Sequence, residues 1–169
     1  MTARELAILL RAQLIAGLAR YGDTSTTVAQ AYQQGQQGRM DAGLYFFTVT
    51  AHRHGWQARR HVYDPDADET VTEESQVIET TFQIFGLGPQ AEDITHTAAM
   101  VCNSLFFVEG MRAGGAGVQR VGDVRNPIIQ NDRGQFEGNP SFDLIVTTRQ
   151  TRVDRRQAVE RVEIRMGRV

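Results

Sequence analysis

The chain contains no lysine. All 18 of its basic residues are arginines, set against 20 Asp and Glu in 169 residues, for a formal net charge of −2. Lysine chemistry is therefore excluded: no Schiff base can form, and no Walker-type phosphate loop can be completed. A clear basic excess, the usual mark of a tight nucleic-acid binder, is missing as well. There is one cysteine, Cys102, so no internal disulfide and no multi-cysteine metal site exists. A single thiol fits a reducing compartment such as a cytosol. Long apolar runs are absent, and nothing in the sequence reads as a membrane span. The opening MTARELAILLRAQL carries Glu5 and reads as a mature helix rather than a signal peptide.

What is present is ordinary for a packed protein. Hydrophobic residues make up 41% and charged residues 22%. That composition argues against disorder, and the length predicts one domain over residues 1–169. Thr2 and Glu5 fit a capping box, and Leu6, Leu9, Leu10, Leu14 and Leu18 follow at helical spacing. This predicts a helix to Arg20 or Tyr21, stopped at Gly22. Val28 to Tyr32 reads as a short strand, and Gln33 to Ala42 as a loop. Leu44 to His54 reads as a strand with Tyr45, Phe47, Val49 and Ala51 on one face, and Trp56 to Tyr63 as its hairpin partner.

The acidic run Asp64 to Glu69 predicts a turn, and Ser75 to Phe85 a strand with Ile78, Phe82 and Ile84 on one face. Apolar residues from Ile94 to Val108 recur at helical spacing and predict one helix from Gln90 to Arg112, ended by Gly114, Gly115 and Gly117. Val118 to Ile129 reads as a strand interrupted at Pro127, Asn131 to Asn139 as a loop, and Phe142, Leu144 and Val146 as the inner face of another strand. After a charged stretch, Val162, Ile164 and Met166 alternate in a last strand. The sum predicts an α+β fold, a mostly antiparallel sheet with two main helices packed on one face.

Chemistry-bearing patterns are few. His52, His54 and His61 could meet across a hairpin and hold a zinc ion, which would make a small metal-dependent enzyme. Asp64, Asp66 and Asp68 have the first spacing of a calcium loop, but Glu69 and Ser75 stand where Gly and Glu are required. Cys102 lies on an apolar helix stripe, where a packing thiol is expected. No nucleophile, base and positioning group assemble, so neither catalysis nor a cofactor is expected. A nucleic-acid module built on the arginines remains a third reading.

Several segments fall in a telling order. They are the opening amphipathic helix, Phe82-Gln-Ile-Phe85-Gly86, the helix from Gln90, Val121-Gly-Asp-Val-Arg-Asn126-Pro127, Phe136-Glu137, Phe142-Asp143-Leu144 and Val159-Glu-Arg-Val162-Glu163. In that order they resemble the neck or tail-terminator proteins of tailed bacteriophages. The resemblance implies a structural virion protein, assembled in the host cytoplasm as a ring, typically six-fold, at the head-proximal end of the tail. Such a ring ends tail-tube polymerisation. Its partners would be further copies of itself, the tail tube or sheath protein, and the head-tail connector or another neck protein. Genomic DNA would pass through without sequence-specific binding. A neck or head-completion role is the alternative within this class.

A ring needs two unlike patches per subunit. Asp66 and Asp68 in the acidic turn, and Arg133 in the Asn131–Asn139 loop, are candidates to reach neighbours. Arg152 and Arg155, in the charged stretch Arg149 to Arg161, are candidates to set register between subunits. Asp123, Arg125 and Asn126, in the family-like turn, are read either as turn residues or as direct contacts.

Overall fold

The computed structural model describes residues 1–32, 42–53, 58–67, 69–130 and 136–157. Helix α1 (Ala3–Arg20) starts at the expected capping box. Glu5 N–H donates to Thr2 Oγ1 at 3.2 Å, and Thr2 N–H donates to the Glu5 carboxylate at 2.7 Å. Gly22, at φ 91, lets the chain turn away. An Asx-type turn follows. Asp23 accepts from the backbone and hydroxyl groups of Ser25 and Thr26, and leads into β1 (Val28–Gln30). Arg11 Nε donates to Val28 O at 2.7 Å and ties helix to strand.

Strand β2 (Gly43–Arg53) pairs with β1 in parallel and with β4 (Glu69–Leu87) antiparallel. Its two faces differ from the expectation. Leu44 and Phe46 enter the main core, while Tyr45 and Phe47 join Ala31, Phe85 and Leu87 in a small aromatic cluster on the opposite face. Both faces are covered at this end, so simple alternation could not tell inside from outside. A register shift between Thr48 and Thr50 follows, beyond which β2 is exposed.

Strand β3 (Ala58–Asp64) is not the hairpin partner of β2. It pairs with β4, its register running from Ala58↔Ser75 to Asp64↔Glu69. Strands β2 and β3 therefore lie end to end along one edge of β4, and the turn at Pro65–Ala67 reverses the chain. The expected strand Ser75–Phe85 is only the inner part of β4, which has 19 residues and spans about 60 Å.

The expected single helix is two, α2 (Ala91–Asn103) and α3 (Leu105–Ala113). Ser104 separates them with an extended ψ of 147 and caps α3. Its Oγ accepts from Phe107 N–H at 3.3 Å and donates to Val101 O at 2.7 Å. The apolar periodicity runs through the break because both helices rest on the same core.

Strand β5 (Ala116–Val121) begins within the glycine stretch. Beyond Pro127 the chain forms β6 (Ile128–Gln130), paired with β7 (Phe136–Gly138) where a loop was expected. Strand β8 (Ser141–Gln157) then runs beside β4 for its whole length, taking in charged residues expected to lie outside any strand. The sheet order is β1-β2-β4-β8-β5, with β3 on β4, and among the described residues only the β1–β2 pair is parallel. The α+β class is borne out, with three helices on one sheet face among the described residues. The core between the layers holds Leu10, Leu14, Phe46, Phe82, Ile84, Val101, Phe107, Met111, Phe142 and Leu144, all fully or almost fully buried. The expected strand at Val162–Met166 and most of the expected loop Gln33–Ala42 lie outside the described residues.

Candidate functional site

Inside the core, β8 alternates in the usual way, with Phe142, Leu144, Val146 and Thr148 buried. From Arg149 to Arg156 every residue is exposed. The same change occurs on β3, where Arg59 to Tyr63 are all exposed. Three strands thus leave the body together as an arm: β3, the first half of β4, and the second half of β8.

Register fixes which side chains share a face. On the face continuous with the core side, the rows are Arg59–Glu74–Arg152, His61–Thr72–Asp154 and Tyr63–Thr70–Arg156. Arg59 Nε lies 2.8 Å from Glu74, Arg156 Nε 2.9 Å from Asp154, and His61 Nδ1 3.0 Å from Thr72 Oγ1. The other face carries Val62–Val71–Arg155 and Arg60–Glu73–Val153. There Arg149 donates to Ser75 Oγ at 2.9 Å, and Arg155 stands 4.0 Å from Glu69. Exposed ion pairs of this kind contribute about 1 kcal/mol or less to stability, so they leave the arm's charge available to other partners.

Asp66 sits exposed at the tip, in the turn closed by Asp66 N–H and Ala67 N–H donating to Asp64 Oδ1. Arg152 and Arg155 lie exposed on β8. The acidic turn and the arginine stretch, read separately from the sequence as candidate contacts, thus lie on the same arm. Asp68 and Arg133 lie outside the described residues.

Asp123, Arg125 and Asn126 lie between β5 and β6. Their segment is pinned to the start of β8: Arg125 and Ser141 exchange backbone hydrogen bonds at 2.8 Å, and Gly122 N–H donates to Asp143 O at 2.7 Å. The Arg125 guanidinium pairs with the Asp143 carboxylate. With Thr81, Arg120, Asp123 and Ile145 they line a shallow polar depression on the open sheet face. Asp143, Arg59, Glu74 and Arg156 escaped sequence reasoning, because each acquires its partner only through cross-strand register.

The histidine hypothesis is corrected by that register. His52 stands opposite Glu79 and His61 opposite Thr72, on opposite faces and about 23 Å apart along β4. Among the described residues no three metal-ligating side chains converge; His54 is not one of these residues. Cys102 is fully buried and burial pushes its thiol far up, so no thiolate is offered.

The fold and its surfaces define a class: an α+β protein that displays charge on an extended sheet arm. The particular family follows from comparison. Residues 5–157 match the family described as E217 gateway protein gp29, and the chain belongs to that family. It is a phage head-tail gateway family, so the role is structural, at the head-tail junction. No curated protein matches the chain. The expectation of a phage neck protein is met at this level.

Proposed function

We propose that the chain folds as one domain and assembles into a closed ring, six-fold by analogy with tail terminators, at the head-proximal end of the phage tail. The ring ends tube polymerisation, joins the tail to the neck or connector, and lets DNA pass without gripping it. Assembly takes place in the host cytoplasm, and no reaction is catalysed. The observation that carries this reading is the gateway-family match along residues 5–157. The arm supports it: a projecting ribbon with charge of both signs suits contact between unlike surfaces of identical copies. Near-neutral net charge suits a conduit for DNA. In this reading Asp66, Asp68, Arg133, Arg152 and Arg155 reach neighbouring copies, and Asp123, Arg125 and Asn126 hold or extend the contact.

Particle images of the purified protein, alone and mixed with tail tubes, test the proposal. Closed rings seated on tube ends are expected. Deletion of the gene should leave tails of uncontrolled length or tails that never join heads; normal virions from the deletion would overturn the reading. The word gateway favours a second reading in the same class, a neck protein seated on the connector. Rings that bind connector but leave tube ends open would select it.

A further inference from the structure

Strand β8 is covered by β5 only as far as Thr148. From Arg149 to Gln157 its outer edge has no strand beside it among the described residues. The opposite edge of the arm is β3, which likewise pairs on one side only among the described residues. An exposed ribbon with two open edges is a template for pairing with another chain.

The two edges are unlike in charge at their outer ends; further in, the β3 edge carries Arg59, paired with Glu74, and Arg60. Arg149, Arg152, Arg155 and Arg156 give the β8 edge four cations against one carboxylate, Asp154. At the outer end of the other edge, Asp64 and Asp66 are the charged residues, with no cation between them. The opposed charges stand in neighbouring rows. Gln157, Glu69 and Asp64 form one row of the arm, and Arg156, Thr70 and Tyr63 form the next. The basic end of β8 and the acidic turn therefore flank β4 at nearly the same height, roughly 10 Å apart across two strand spacings.

Resting on the ring reading above, we infer that neighbouring copies meet arm to arm, the β8 edge of one against the β3 edge and acidic turn of the next. Strands β3 and β8 both run antiparallel to β4, so the contact brings parallel strands side by side. A rotation about an axis along the arms preserves height, so Arg156 and Arg155 of one copy stand one and two rows inward of the next copy's Asp64, with their long side chains free to reach outward to the acidic turn. It does so at every step around the circle. The contact is heterologous and repeats without change of height, as ring closure requires.

A charge swap tests this. Asp66 and Arg155 are chosen because Asp66 carries no side-chain ion pair among the described residues and Arg155 has only the 4.0 Å approach to Glu69. Asp66→Arg and Arg155→Glu are made singly and together. The assembled fraction is measured by sedimentation, or by co-sedimentation with tail tubes if rings form only there. Each single variant should lower assembly about fivefold, the upper range for one exposed pair, and the double variant should recover to within about twofold of the natural chain. Melting curves of all three should stay near that of the natural chain. Singles that assemble normally, or a double that melts normally yet stays unassembled, overturn the arm contact and leave the ring standing. A natural chain that forms no closed assembly, alone or on tubes, overturns the ring itself and this contact with it.

Discussion

Gly17 of α1 lies directly against Val101 of α2; a Cβ on Gly17 would run into the Val101 Cγ1 methyl. The two helices approach this closely because one side has no side chain at all, and both residues are buried in the core. Overpacking at such a point costs about 1–3 kcal/mol. Gly17→Ala should therefore lower the melting temperature measured by circular dichroism despite the better helix propensity of alanine. Gly17→Ala combined with Val101→Ala should recover part of the clash while losing the valine packing.

Removal of a large core side chain should act more strongly. Phe107, fully buried where α3 meets the sheet, should cost about 3–5 kcal/mol when cut to alanine. Chemical denaturation with an unchanged slope would attribute the loss to the folded core.

Ser104 both ends α2 and caps α3, so Ser104→Ala should cost about 1 kcal/mol, and Ser104→Asp should retain most of the stability by capping in the same way. Equal melting of the alanine and natural chains would remove the serine from this role.

Asp23 should contribute a pH dependence. The Thr26 hydroxyl, opposed by some desolvation and aided by the backbone N–H groups of Thr26 and Ser25, holds its carboxyl below the usual value of 3.8. A lowered folded-state pKa stabilises above the unfolded value, and that contribution is lost as pH falls through the folded one. Stability should decline below about pH 4, and Asp23→Asn should flatten that part of the profile. NMR titration of the carboxyl should place its midpoint below that of an ordinary aspartate, and Thr26→Val should move it upward.

The Arg125–Asp143 pair is exposed, so a double-mutant cycle should give about 1 kcal/mol or less. A larger coupling would mean that the turn between β5 and β6 depends on it. The backbone exchange between Arg125 and Ser141 instead predicts that this turn survives loss of the ion pair.

The legible and illegible parts of the fold divide on physical lines. Helix α1 was readable to its caps, because Thr2, Glu5 and Gly22 are local signals and its inner leucines face one core. The inner face of β8 was readable through Val146 for the same reason. Beyond Thr148 neither face of the strand is buried, so no alternation marks Arg149–Gln157 as strand. Pairing of β3 with β4 rather than β2 was also hidden, since Trp56 to Tyr63 carries no sign of which edge it will join. Among the candidate contacts, Asp66, Arg152 and Arg155 could be named as charged and exposed from sequence. Their common placement on one arm could not, because it depends on a register running from Glu69↔Gln157 inward.

Strand β4 passes from the acidic turn to Phe85, beside the helix-packed Gly86, without leaving its ladder with β8. The arm consequently has no hinge of its own within that ladder. Force applied near Asp66 travels down an unbroken pair of strands to Phe82 and Leu144, and the helical layer acts as the anchor of a stiff lever.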